Sequence, residues 1–565
     1  MMKKILLFST ILFSVFTGYT QNLQWVHTYG GKADEIVAEI ATDQAGNIYM
    51  AGQFQDTVDF DPGVNTNNLI SHSTVADAFI VKYDPQGNFI HAFSFGGTGI
   101  DVVHSIEVDK SGGLYVSGYF EFTADFDPGP GTAELSATGT QNLYLARYDA
   151  DGNFVWVRKI TGSAFQAESF IDLDESENIY LHGTFTGLAD FDANITTDNL
   201  TPVGLGDVFV AKYDSSGNFI WSAGIGGTGE EKAVEIISDQ SNSLYITGTF
   251  SGNADFDPGS GTLSLNAAGS TDAYLAKLDT AGNLVWAKGF GGTDLDRPSG
   301  LRQDGNGHLV VCGVFLGTAD FDAGAGTSSF TSLGSQDFFI AKYSDNGDFI
   351  WANASGGTGL DSPRGIEVDD QSAIYIFGVF TGASDFDPGA GTAVLTAGTG
   401  IYGFVAKYDI GGNYVWAGML GGGTSAFCNS MVVNPNGSFY LSAFYGGVCD
   451  VDPGPGTVTV SSNSTFYDIF LAEYTQPLTA IDEQPFTANI EVFPNPSDRA
   501  ITIKSTEIMR EFSVRDMKGK EVFHTYPHIP LYEYQIPTSD FSVGIYFVQI
   551  LFDNIQTTRK FIVNH

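Results

Sequence analysis

The chain is poor in positive charge, in cysteine and in long apolar runs. Of 565 residues only 25 are Lys or Arg, against 66 Asp or Glu, a formal charge of −41. Nucleic-acid binding draws on cations that displace phosphate counterions, so a chain this acidic is excluded from that class. Cysteine occurs three times, which is too few for a disulfide scaffold, and packing must supply the stability. The one apolar run, residues 5–16, follows Lys3 and Lys4 and precedes small residues. It is too short to span a bilayer and reads as a secretory signal peptide over residues 1–20. No later run approaches the roughly 18 apolar residues of a membrane helix. Export without a transmembrane segment is expected, through the periplasm to the outer surface or the medium. Charged residues are 16%, low for a globular chain, while glycine reaches 69 and aromatics 13%. That balance describes β-structure with many tight turns rather than a disordered acidic chain.

What is present is a repeat. Asp59-Phe60-Asp61-Pro62-Gly63 returns, as DFDPG or a near variant, at Asp125, Asp190, Asp255, Asp320, Asp385 and Asp450, first after 66 residues and then every 65. A Gly-Gly or Gly-Ser step keeps the same phase, and so does a tryptophan in six places; His91 stands where the remaining one would fall. Each period holds four alternating strand-like runs, shown well by 102–108, 114–120, 143–148 and 154–160. The loops 109–113 and 149–153 carry an Asp that can accept backbone amides and a Gly suited to positive φ, the chemistry of short hairpins. Four antiparallel strands repeated seven times predict an all-β, seven-bladed β-propeller over residues 22–475. The run 23–29 aligns with a fourth strand and the last period stops at its third. The N-terminal strand is therefore expected to complete the last blade and remove the open edges.

From residue 22 to about 474 the chain resembles the bacterial propeller repeats called SBBP. Ile366-Glu367-Val368-Asp369 followed by Ile374-Tyr375-Ile376-Phe377-Gly378 carries the likeness most closely, and the loop bearing DFDPG departs from it. The resemblance implies the fold and names no activity. Beyond it, 476–487 contains Pro477 and Pro485 and reads as a linker. Short alternating runs over 488–565 predict a small Ig-like β-sandwich. Pro494-Asn495-Pro496, Gly519-Lys520, Gly544 with Tyr546, and Lys560-Phe561 occur there in order. In these signatures the segment resembles the type A C-terminal sorting domain of the type IX secretion system. That resemblance implies the secretion machinery as a partner of the tail.

Two readings compete for the repeated acids. In an extended segment residues i and i+2 point the same way, so Asp59 and Asp61 can offer both carboxylates to one calcium ion. Asp125 with Asp127, Asp255 with Asp257, Asp385 with Asp387 and Asp450 with Asp452 repeat the arrangement. Ala193 and Asn194 interrupt it in the third unit, so a subset of loops is expected to bind. The competing reading is turn chemistry, with Asp capping amides before Pro-Gly and Phe wedged between blades.

Catalysis finds less support. The propeller's arginines are Arg147, Arg158, Arg297, Arg302 and Arg364; its histidines lack metal-ligand spacing and no G-x-S-x-G elbow occurs. Cys428 opens the last unit's first strand and Cys449 is placed at the end of its second, so a disulfide between them is expected; Cys312 lies in a core strand. The resulting expectation is a surface or secreted module binding glycan or protein ligands, with calcium as a candidate cofactor. A polysaccharide hydrolase or lyase and a structural surface-layer component are the alternatives.

Overall fold

The computed structural model describes residues 21–476, apart from 163–164, 193–196, 240 and 242, and residues 490–564, apart from 498, 510, 517–519, 526–530 and 552–555. The expected signal segment, Ala193 and Asn194, Gly519 and all of the linker after Gln476 lie outside the described residues. The chain divides into two compact units, Met1–Pro477 and Leu478–His565. Among the described residues no helix is long and apolar enough to cross a membrane.

The first unit is built of antiparallel strands. Ile36–Thr42, Ile48–Phe54, Asp77–Tyr83 and Phe89–Gly97 form one four-stranded ladder, with each strand paired to the next. The pattern recurs in six more groups, whose first strands are Asp101–Val108, Phe165–Leu173, Lys232–Ser238, Asp296–Gln303, Asp361–Val368 and Ser425–Val433. In the last group the fourth place is taken by Asn22–Tyr29, which pairs with Asp468–Thr475 from Asn22 opposite Thr475 to Tyr29 opposite Ile469. The strand-completion expectation is met in its register.

Each first strand lies beside the first strands of the groups before and after it, and Ser425–Val433 lies beside Ile36–Thr42, so the order is cyclic. Apolar cores fill the spaces between successive sheets. Tyr49, Ala51 and Ile80 of the first group pack with Val103, Ile106, Val116 and Tyr144 of the second. Val37, Met50 and Phe79 pack with Tyr440, Phe444, Ile469 and Leu471 of the last. Burying large side chains between neighbours is what holds such an array, since no single four-stranded sheet covers both its faces.

The phase-locked small residues explain themselves here. The outer strand of one group ends on the Gly-Gly step, which pairs with the DFD strand of the next group, Gly96 opposite Asp125 and Gly97 opposite Ala124. A β-carbon on Gly97 would fall 1.9 Å from the Thr123 carbonyl oxygen, a distance only glycine allows. Tryptophan performs a second inter-group contact. Trp156 lies against Gly217 in the next group's hairpin turn, and Trp221 and Trp286 donate from Nε1 to Thr280 O and Asp345 O at 3.1 and 3.2 Å.

Two expectations change. The segment bearing DFDPG is not a plain loop: it forms its own hairpin, Thr57–Asp59 with Asn68–Ile70 and Asn253–Asp255 with Ser264–Asn266. The expected disulfide is not formed either: Cys312, Cys428 and Cys449 are buried free thiols. The last group's second strand ends at Gly446, so Cys449 belongs to the following short strand Val448–Asp450, while Cys428 sits opposite Ala443.

In the second unit, Ile490–Phe493, Ala500–Met509 and Leu531–Pro537 form one antiparallel sheet. Glu511–Asp516, Glu521–Thr525, Gly544–Leu551 and Gln556–Val563 form the other. One core of Ile501, Ile503, Ile536, Phe512, Val514, Val548 and Phe561 joins them, the sandwich the alternating runs predicted. The signature residues hold the two ends of this fold together. Asn495 Oδ1 accepts the Ile562 amide at 2.9 Å, and Asn495 Nδ2 donates to Lys560 O at 3.3 Å. Gly544 and Tyr546 lie opposite Val563 and Phe561, with the Tyr546 and Phe561 rings stacked 5.7 Å apart.

Candidate functional site

The aspartates of DFDPG are engaged in turn geometry. Asp255 Oδ1 accepts the Asp257 amide at 3.1 Å and the Leu263 amide at 2.9 Å, and Asp257 Oδ1 accepts the Gly259 amide at 2.8 Å. Asp59 with Asp61, Asp125 with Asp127, Asp385 with Asp387 and Asp450 with Asp452 repeat these bonds. Between the two acids the Phe is fully buried, Phe256 meeting Phe250 edge-on at 5.6 Å. A tyrosine three strands into the same group fixes the peptide from below, Tyr148 OH donating to Phe126 O at 3.0 Å and Tyr343 OH to Phe321 O at 2.8 Å. Among the described residues no three Asp, Glu, His or Cys side chains converge as metal ligands.

This arrangement yields a test. Phe256→Ala is expected to cost about 3–5 kcal/mol of stability, the usual range for emptying an aromatic core site. Asp255→Asn keeps an acceptor oxygen and is expected to melt as the wild type does, with and without calcium. A loss seen only when calcium is present would favour chelation. Differential scanning calorimetry on both variants reads the outcome.

A different constellation lies on the axis of the cyclic array. The seven first strands surround a cavity of about 1030 Å³. A break in register interrupts each of the seven strands, for example between Val37 and Glu39, between Pro298 and Gly300 and between Cys428 and Ser430. Bulges rotate the side chains that follow them, and here charged residues that would otherwise be alternation errors line the cavity. Lys232, Arg297 and Arg364 lie towards the strand beginnings and are exposed. Glu39, Glu107, Asp172, Glu235, Arg302 and Glu367 lie towards the strand ends and are half-buried.

Arg302 anchors that belt. Its Nη1 donates to Glu235 Oε2 at 3.1 Å, while Nε and Nη2 both donate to Glu367 Oε1 at 3.1 and 2.9 Å. Burial works against its charge, but Glu367, Glu235 and Glu39 hold its pKa well above the usual value. The pKa values of Glu39, Glu107, Asp172 and Glu235 are raised as well, burial being the first cause for each. Glu39 rises to about 7, aided by the Glu235 charge and opposed by the Ile106 amide it accepts at 2.8 Å. Glu107 rises under burial and the charges of Asp172 and Glu39. Asp172 rises under burial although it accepts the Ser238 amide. Five carboxyl groups and one guanidinium give the belt an excess of acid and several hydrogen-bonding groups facing the cavity, the setting that draws cations and hydroxyl groups out of water.

The belt departs from the symmetry of the repeat. The break is in the strands. Two residues before the hairpin Asp, where other units have Ala41, Ile237 and Val432, stand Glu107, Asp172, Arg302 and Glu367. Four residues before it, where others have Ser105, Gly300 and Ser430, stand Glu39 and Glu235. Charge at positions that are elsewhere small or apolar was the available signal.

With the geometry established, the tail defines a class first. Residues 491–564 match the family described as the secretion system C-terminal sorting domain. The protein thus carries a type IX sorting domain and is exported, secreted or held at the cell surface. The repeat region is similar to two curated proteins. One is an uncharacterized WD repeat-containing protein, L264, of Acanthamoeba polyphaga mimivirus, 23% identical over 432 residues, which are 64% of this chain and 30% of that protein. The other is the regulatory protein FlaEY of Caulobacter vibrioides, 24% identical over 428 residues, which are 72% of this chain and 42% of that protein. The chain spans less than half the length of either relative.

Proposed function

We propose that the repeat region is a closed seven-bladed β-propeller of the SBBP type, that it acts outside the cell as a binding module for a glycan or protein ligand, and that the axial cavity is its binding site. Seven four-stranded groups in cyclic order, closed by Asn22–Tyr29, and the likeness to a WD-repeat protein support the propeller. The single observation that carries the binding reading is the cavity itself, which concentrates five carboxylates in strands whose other repeats are apolar or small. Concave sites with a few convergent polar groups are where ligands bind. Arg302 pairs with two of these carboxylates, which leaves the set with an excess of acid facing the cavity.

The experiment is a glycan array and a surface-protein pull-down with the full chain, each repeated with Glu107→Gln/Asp172→Asn. Binding by the wild type that falls about ten-fold or more in a folded double variant, a change of about 1.4 kcal/mol, supports the reading. Unchanged binding moves the site elsewhere. A second reading, cleavage of an extracellular polysaccharide, draws on the Glu39 carboxyl, which is held near neutral pKa beside other carboxylates as a general acid would be. Release of shorter saccharides from an array hit, lost in Glu39→Gln, would favour it.

A further inference from the structure

Five junctions between successive groups share an arrangement that neither the axial cavity nor the sorting tail explains. The third strand of one group begins with an acid, and the first strand of the next begins with, or directly follows, another. Asp77 meets Asp101 in this way, Asp207 meets Glu231, Asp272 meets Asp296, and Asp337 meets Asp361. Asp468 of the last group meets Glu35, ahead of the first. None of the ten is more than 4% exposed. The Gly of the Gly-Gly step lies against both acids at two junctions and against the third-strand acid, Asp207, Asp337 or Asp468, at the other three. A β-carbon on Gly96 would fall 2.7 Å from Asp101 Oδ2 and 2.9 Å from Asp77 Oδ1; one on Gly291 would fall 2.6 Å from Asp296 Oδ2 and 3.0 Å from Asp272 Cγ.

The hydrogen bonding is alike at the five junctions except at Asp207, which accepts amides on both oxygens. One oxygen of each acid accepts a backbone amide: Gly97 N donates to Asp101 Oδ2 at 2.7 Å, Gly292 N to Asp296 Oδ2 at 2.6 Å, and Ala268 N to Asp272 Oδ2 at 2.8 Å. The other oxygen is buried without a donor in every acid of the five pairs except Asp207 and Asp361, the latter meeting the buried Ser384 hydroxyl. Two facing carboxylates stripped of water and left with orphaned oxygens cannot both stay ionised, because burial penalises each charge and the second repels the first. One proton on either acid removes the repulsion between the two and supplies the pair with a hydrogen-bond donor. No further group is needed, and among the described residues no third ligand converges that would make the pair a metal site.

We propose that each of these five junctions is a proton-binding site, holding one shared proton between its two acids, so that acid tightens the ring and alkali loosens it. Asp101 and Glu35 are raised to about 8, Glu231 and Asp296 to about 7, and Asp361 and Asp468 to about 6, burial first in each case. The partner's charge adds to this in all of these but Asp468. Since ordinary carboxyls titrate near 4, the folded state holds these protons more tightly than the unfolded chain. The stabilisation is complete below about pH 4 and is lost as pH rises through 6 to 8. The neighbouring charges are few. His72 Nδ1 lies 2.6 Å from Asp77 Oδ2, where a protonated imidazole would favour the anion, and Glu121 faces Asp101. Asp34 and Asp56 face Glu35, Glu230 faces Glu231, and Asp294 faces Asp296; all four are acids that reinforce proton retention.

The test replaces the proton with an amide. Glu35→Gln, Asp101→Asn, Glu231→Gln, Asp296→Asn and Asp361→Asn each keep an acceptor for the Gly amide and offer an N–H to the partner. Between pH 5 and pH 8.5 the wild-type full chain is expected to lose on the order of 5 °C or more in melting temperature. The five-fold variant is expected to match it at pH 5 and to lose markedly less. Should the five-fold variant not fold, infrared difference spectra of Asp296→Asn against wild type at pH 6 decide the matter: a protonated-carboxyl carbonyl band missing from the variant supports the proposal. A wild-type melting temperature that is flat or rises over this range overturns it. So does a fall at pH 8.5 that calcium reverses in wild type and EDTA restores, which would make the junctions cation sites.

Discussion

A chain ending at Gln476 is expected to fold its repeat region and yet vanish from the cell surface and the medium, accumulating inside the outer membrane instead. The repeat unit and the tail are separate compact bodies, each with its own core, so removing one leaves the packing of the other intact. The tail carries the sorting-domain match. A finer variant attacks the clamp inside the tail: Asn495→Ala removes the acceptor for the Ile562 amide, and Phe561→Ala empties a fully buried core position. Phe561→Ala should cost about 3–5 kcal/mol of a small domain's stability and impair export in proportion to the fraction unfolded. Immunoblots of cytoplasmic, periplasmic, surface and medium fractions read all three chains. Surface display of the chain ending at Gln476 would show that export does not depend on the tail.

The second large effect is expected at Arg302. Arg302→Met keeps most of the side chain's volume while leaving Glu235 and Glu367 without their cation. Breaking a buried pair by removing one partner costs about 3–5 kcal/mol; with water reaching the cavity, about 2–3 kcal/mol is expected here. The sign of the pH dependence follows from the belt. Glu235 and Glu39 already sit above the usual carboxyl range through burial, and losing the guanidinium pushes them higher. The deficit should therefore be largest near pH 8, where the folded state must carry the charges, and smallest near pH 5, where they protonate. Arg302→Lys should restore it only in part, since one ammonium cannot reproduce the fork to two carboxylates. Urea unfolding at the two pH values measures the difference; an Arg302→Met chain as stable as wild type at pH 8 would remove the belt's electrostatic account.

How much of this was legible in the sequence follows from what repeats. A 65-residue period fixes strand number, phase and even the strand exchange at the ends, because each depends on residues present in every unit. The DFDPG segment misled by its own chemistry: Asp, Pro and Gly mark turns, and the turn they mark sits at the tip of an extra hairpin rather than in a loop. Cys449 was misplaced because its position, like Ser384 and Ala319 in the units before, belongs to the short extra strand that precedes the DxD turn rather than to the second strand. The belt was hidden for the opposite reason, being built from the residues in which units differ. The junction acids fall between these cases. Asp77 and Asp101, Asp272 and Asp296, and Asp337 and Asp361 share one separation, but only folding shows that the strand starts of adjacent units face each other across a glycine.

The pairing of Asn22–Tyr29 with Asp468–Thr475 also has a consequence in time. Its partners lie about 450 residues apart, so the ring cannot shut until nearly the whole repeat region has been delivered, whatever the state of the earlier sheets. Loop closure over that span costs little more than over half of it, yet contacts this distant form late. Until then the third strand of the last sheet exposes an unpaired edge, and the first strand of the chain waits without a partner. The same strand that completes the last sheet makes its assembly a single terminal event, one that a peptide copying residues 22–29 should be able to intercept.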